Sequence, residues 1–91
     1  MKNTKTVSYR ILVEKERQGK KEVYVAYAPS LGVSDFGSTI EKAVANIEKA
    51  IKLYIDTSSE LNQPIPDPDL NDYFITTRKV ELSKNAESSF I

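Results

Sequence analysis

Residues 24–55 read YVAYAPSLGVSDFGSTIEKAVANIEKAIKLYI. Within this stretch Ile40, Ala43, Val44, Ile47, Ala50, Ile51, Tyr54 and Ile55 recur at three- and four-residue steps. At about 3.6 residues per turn these positions share one face, so the spacing predicts an amphipathic helix over 39–58. Glu41, Lys42, Asn46, Glu48, Lys49, Lys52 and Asp56 fall on the opposite, solvated side, with Leu53 an apolar exception there, either boundary core or a protein contact. An apolar helix face needs a second layer to cover it, and the strand-like segments before the helix are the material for a sheet.

Working upstream, Pro29 cannot donate to a strand ladder, so 29–32 (Pro-Ser-Leu-Gly) is expected to form a turn that ends a strand over 22–28. That strand places Val23, Val25 and Tyr27 on one face and Tyr24, Ala26 and Ala28 on the other. Val7, Tyr9, Ile11 and Val13 alternate with more polar neighbours, which predicts an earlier strand over 6–13. The polar residues 14–21, with Gly19, are expected to form the loop of a hairpin joining the two. A short third strand is expected over 33–36, and Gly37 is the hinge into the helix. Ser38-Thr39-Ile40-Glu41 fits the S-x-x-E capping box, with Ser38 as N-cap and Glu41 reaching back to it. Glu48 and Lys52 are spaced for an i, i+4 ion pair.

Downstream, Pro64, Pro66 and Pro68 hold the backbone extended, because each drives its preceding residue out of the helical region. Residues 72–82 alternate only partly and are expected to form a last strand at a sheet edge. Together these segments specify an α+β fold: a three-stranded antiparallel sheet, one amphipathic helix packed on it, and a short C-terminal edge strand. Residues 1–82 are expected to be one domain and 83–91 a flexible tail.

The 91 residues contain 40% hydrophobic and 29% charged positions with few glycines and prolines, a balance that supports a soluble globular chain with one core. Thirteen basic and thirteen acidic residues cancel, so no global field attracts nucleic acid or an anionic membrane. Locally, 2–21 is basic and 60–72 acidic, as solvated surfaces often are. The first six residues are charged or polar with no apolar segment behind them, and no run approaches transmembrane length; a cytoplasmic protein is expected.

The absence of cysteine removes disulfides and thiolate chemistry, and the absence of histidine removes the commonest general base and metal ligand. Asp35, Glu41, Glu48 and Asp56 are too dispersed for a two-metal nuclease centre. Ser38 and Lys42 sit at an exposed helix start rather than as a desolvated catalytic pair. Gly32 and Gly37 do not meet the spacing of a phosphate loop. No RNP-like aromatic pattern or helix-turn-helix pair is present, so direct nucleic-acid binding is not expected. No catalytic, cofactor or metal site is therefore expected, and protein binding remains.

Residues 24–33 with Pro29 and Gly32, then Gly37-Ser38-Thr39-Ile40-Glu41-Lys42-Ala43, Asn46, Glu48-Lys49-Ala50-Ile51 and Tyr54, resemble the HicB-like antitoxin family. Its members carry a P-x-L-G turn, then G-[DS]-T-x-E-E-A and N-x-x-E-A on a helix. The prolines at 64, 66 and 68 resemble the post-helix segment of that family, and 76–82 resembles its closing strand. The resemblance implies a β-β-β-α-β unit of partial RNase H-like type and a non-catalytic role: masking a HicA-type RNA-cleaving toxin by steric occlusion, commonly as a homodimer or higher homo-oligomer. Lys42 departs from the second acidic position of the family motif. A DNA-binding segment of the kind many relatives append after the last strand is not apparent, which implies an antitoxin without its own operator contacts. Against a basic toxin, Asp35, Glu41, Glu60, Asp67 and Asp69 are the acidic contacts on offer. Two other readings are a stand-alone self-associating structural or regulatory module and a minimal RNase H-like nuclease.

Overall fold

The structure, a computed structural model, describes residues 6–70 and 74–87. Three strands, β1 (Leu12–Gln18), β2 (Lys21–Ala28) and β3 (Val33–Gly37), form an antiparallel sheet in the order β1-β2-β3. Helix α1 (Ile40–Glu60) packs across one face, and a short helix α2 (Lys84–Glu87) follows near the C-terminus. The α+β class and the strand-strand-strand-helix order are those expected from the sequence.

The first strand is displaced from the expected span. Residues 6–11 form no strand, whereas 14–18, expected to be loop, pair residue by residue with β2 from Glu14↔Val25 to Gln18↔Lys21. A two-residue turn makes this extension feasible. Gly19 has φ +64° and Lys20 does not share a positive φ, the pattern of a type II′ turn, whose twist matches that of the flanking strands. Lys15 and Arg17 meet Glu22 at 3.5 and 3.8 Å along this solvated tip, so a polar run carries a strand because its charges alternate in sign across the ladder.

At the other end of β2, Leu31 and Gly32 both donate backbone N–H groups to the Ala28 carbonyl, and Gly32 takes φ +70°. Pro29 stands at the position where its fixed φ favours such a turn. The register puts Tyr24, Ala26 and Ala28 on the helix side of β2 and Val23, Val25 and Tyr27 on the other, the division expected from their alternation. Ala26, Ala28, Leu31, Ala43 and Ile47 form the buried core, with Tyr9, Ile11, Val13, Tyr24, Val33, Ile51 and Tyr54 packed around them. Small side chains beneath the helix let it lie close to the sheet, which leaves Ile47 as the one large side chain fully enclosed among the described residues.

The helix begins one residue later than a Ser38 cap would require. Thr39 is the N-cap, with extended φ/ψ, and its Oγ1 accepts the Lys42 backbone N–H at 3.1 Å. The expected capping box with Ser38 and Glu41 is therefore not formed; one residue of shift places Lys42, which cannot act as the reciprocal acceptor, at the third helical position. Ile40, assigned by periodicity to the buried face, is 49% exposed because it opens the first turn beyond the sheet. Leu53 is exposed on the outer side. Lys52 pairs with Asp56 at 2.9 Å rather than with Glu48. The helix runs through Thr57–Ser59 despite their weak propensity, and ends with Asn62 at φ +54° while Asn62 and Gln63 donate to Ser59 and Ser58 carbonyls. These paired bonds are a Schellman closure with asparagine as the left-handed residue.

The closing strand expected over 72–82 is not formed. Positions 72 and 73 lie outside the described residues, and 74–82 have no regular structure, with Phe74, Ile75 and Val80 exposed. A strand requires a neighbouring ladder, and the return segment leaves the sheet before it could find one. In the stretch expected to be a flexible tail, residues 84–87 are helical and 88–91 lie outside the described residues.

Candidate partner-binding face

Helix α1 covers one face of the sheet, and the opposite face is built by direct cross-strand neighbours. Leu12 lies opposite Tyr27, which lies opposite Ser34; Glu14 lies opposite Val25, which lies opposite Phe36; Glu16 lies opposite Val23. No described segment covers this face. Phe36 is 57% exposed and Tyr27 42%, while Val23 and Val25 are half-buried. The result is an apolar, aromatic strip bordered on the β1 side by two exposed carboxylates. A shallow depression of about 190 Å³ lies among Leu12, Glu14, Glu16, Val25 and Tyr27. Aromatic groups beside a polar rim are the surface composition from which protein interfaces draw most of their binding free energy.

The five acidic residues singled out from the sequence are not brought together. The Asp35 carboxylate turns back to accept the Phe36 backbone N–H at 2.8 Å. Glu41 is exposed in the first turn of α1, and Glu60 ends the same helix, roughly 28 Å away at 1.5 Å of rise per residue. Asp67 is exposed on the return segment. Asp69 has an internal role: its carboxylate accepts the Arg10 backbone N–H and the Ser30 hydroxyl, each at 2.6 Å, and stands 3.8 Å from the Arg10 guanidinium. The Arg10 backbone hydrogen bond, then Ser30 and the Arg10 charge, hold its pKa below the usual aspartate value against partial desolvation. Nearby, the Tyr9 hydroxyl donates to the Pro66 carbonyl at 2.8 Å, and its pKa is raised by burial and by the Asp67 and Asp69 carboxylates.

Glu14 and Glu16, which do border the exposed strip, belong to the stretch 14–21 that is expected from the sequence to be a loop. Sign alternation in Glu14-Lys15-Glu16-Arg17, followed by a glycine that suits a two-residue turn, is the signal that could have found them.

The signature residues have structural explanations. A Cβ on Gly37 would lie 2.5 Å from the Ala43 backbone nitrogen and 2.8 Å from the Lys42 carbonyl carbon, so β3 and the first turn of α1 approach more closely than a side chain permits. Thr39 caps the helix, Ala43 is buried beneath it, and Pro29 and Gly32 shape the preceding turn. Asn46 donates from its side-chain amide to the Phe36 carbonyl at 2.7 Å, tying helix to edge strand.

A larger open cleft of about 620 Å³ lies between the hairpin end and the start of α1, with Lys21, Glu22, Ser38, Lys42 and Asn46 among its lining. Among the described residues no cluster of three or more acidic side chains is arranged to hold a metal ion, and no helix is long and apolar enough to cross a membrane.

No family model matches the chain, and no solved structure matches it. A UPF0150 protein of Synechocystis sp. is 42% identical over 64 residues, which cover 69% of this chain and 77% of that relative. Identity of that degree over most of both chains places a shared fold beyond the reach of coincidence, and the protein belongs to the UPF0150 family.

Proposed function

We propose that this protein is an antitoxin of HicB-like type, which binds a HicA-type mRNA-cleaving toxin and masks its active site by occlusion. The observation that carries this reading is the uncovered sheet face, where Val25, Tyr27 and Phe36 form an exposed strip beside Glu14 and Glu16. A toxin that cleaves RNA needs a cationic surface for its substrate. A partner offering carboxylates around an aromatic centre satisfies those cations while excluding water and RNA. UPF0150 membership and the HicB-like residues at 29–54 support the same reading. Cellular function in the cytoplasm and self-association fit it as well.

The test is co-expression with the toxin encoded by an adjacent small reading frame. The unmodified chain is expected to restore growth and co-purify with the toxin. The double variant Tyr27→Ser/Phe36→Ser should lower toxin affinity at least about tenfold, corresponding to about 1.4 kcal/mol, with Glu16→Lys mainly slowing association. Toxin binding that is indifferent to both changes would defeat the assignment of this face, and absence of any complex or rescue would defeat the antitoxin reading.

A further inference from the structure

Resting on the antitoxin reading of the uncovered sheet face, we propose that the depression beside β1 is an arginine seat, which receives one guanidinium side chain of the partner and sets which partner that face accepts. The pleat of β1 sorts its charges by face. In Glu14-Lys15-Glu16-Arg17 the two cations lie on the helix side. There Glu22 stands 3.5 Å from Lys15 and 3.8 Å from Arg17, and the Lys15 ammonium sits 5.8 Å from the centre of the Tyr24 ring. The two carboxylates lie on the uncovered side, and neither has a hydrogen-bond or ion-pair partner among the described residues. The cations of the strand are thus satisfied within the chain and its anions are not. Lys21 shares the uncovered side, but it is set opposite Gln18 at the hairpin tip, beyond Glu16, and pairs with neither carboxylate.

Size and chemistry select the occupant. The depression holds about 190 Å³, room for about six waters at about 30 Å³ each and short of the roughly 300 Å³ at which small-molecule pockets begin. A single side chain fits that space. Leu12, Val25 and Tyr27 make an apolar floor, which suits the methylene stem of a long cationic side chain. Glu14 and Glu16 make the wall, two positions apart and so about 7 Å along the strand. Tyr27, diagonal to Glu14 in the register, is half-exposed and leaves its ring open to a cation. A planar guanidinium carries five donors in a fork, stacks on an aromatic ring and is weakly hydrated, so it can address both carboxylates while lying on Tyr27. A lysine ammonium is a compact, strongly hydrated point charge and gains less from the same surroundings. Glu14 is flanked by Leu12 and Glu16 and lies opposite Val25, so it makes the lasting contact. Glu16, nearer the solvated tip, mainly attracts the approaching charge.

The seat is tested first on the isolated chain, with N-acetyl-arginine methylamide as the probe, titrated at low salt and followed by NMR. Saturable shifts of the Glu14, Val25 and Tyr27 amide signals are expected, with half-saturation on the order of 10 mM for a single side chain. The lysine analogue should bind at least about threefold more weakly, and the neutral citrulline analogue should leave these signals in place. Glu14→Gln should abolish the shifts. Its position is exposed and its carboxylate unpaired among the described residues, so circular dichroism of the variant should match that of the parent. In the complex with the toxin encoded by the adjacent reading frame, Glu14→Gln is expected to raise the dissociation constant about tenfold, mostly through faster dissociation. Changing the arginines of the toxin to lysine one at a time should find a position that gives the same loss alone and no further loss on top of Glu14→Gln. Arginine shifts that are absent, matched by lysine or retained in Glu14→Gln would overturn the seat even where the toxin complex forms. So would a toxin complex indifferent to Glu14→Gln. Selective arginine binding without any complex or growth rescue would defeat the antitoxin reading and support the seat.

Discussion

Gly37 shows how one residue can join the local and tertiary arguments. As a hinge between strand and helix it is readable from the chain, but the close approach of the Ala43 and Lys42 backbones is not. Gly37→Ala puts a methyl group against main chain that cannot rotate aside, and the helix start must shift. A loss of about 1–3 kcal/mol is expected, measured as a lowered denaturant midpoint with an unchanged slope. Ala43 and Gly37 are therefore a matched pair, and the spacing between them in the sequence reflects a packing contact as well as a turn. Asp69 illustrates the reverse case. Among several acidic residues on a proline-rich segment it has no distinguishing local pattern, and only folding brings it to Arg10 and Ser30.

At the level of elements, the helix was legible because its apolar period is sustained over 21 residues, long enough for one or two exceptions such as Ile40 to leave the face intact. Its start was less legible, since Ser38 and Thr39 are both good caps and the backbone chooses between them according to where β3 releases the chain. Thr39→Ala should therefore cost about 1 kcal/mol in equilibrium unfolding, while Ser38→Ala should change stability by no more than a few tenths; the reverse ranking would contradict the observed cap. The strands divide in the same way. β2 and β3 carry apolar alternation and were found within a residue of their ends, whereas the solvated part of β1 is stabilised by cross-strand charges that a search for apolar periodicity overlooks.

In the whole molecule, the return segment acts as a strap from the end of α1 to the residues entering β1. Its main polar anchor is Asp69, which gives the strap a pH dependence. The folded-state pKa of Asp69 is depressed, so its stabilising contribution is complete above the unfolded value, near about 3.9, and is lost as pH falls through the lower folded value. Asp69→Asn should consequently destabilise the protein near neutrality and flatten the part of the acid-unfolding curve below about pH 4, followed by circular dichroism. Equal acid sensitivity of the two proteins would remove Asp69 as the anchor.

By itself the sequence determined the α+β class, the strand-strand-strand-helix order, the division of β2 between two faces and the position of the amphipathic helix. These follow from periods of two and about 3.6 residues, which are written along the chain. Tertiary structure alone decided that Asp69 belongs to the strap, that Glu14 and Glu16 border an uncovered aromatic strip, and that residues 74–82 find no place in their own sheet. Those outcomes depend on which distant segments become neighbours and in which direction each one runs, and no local pattern carries that information.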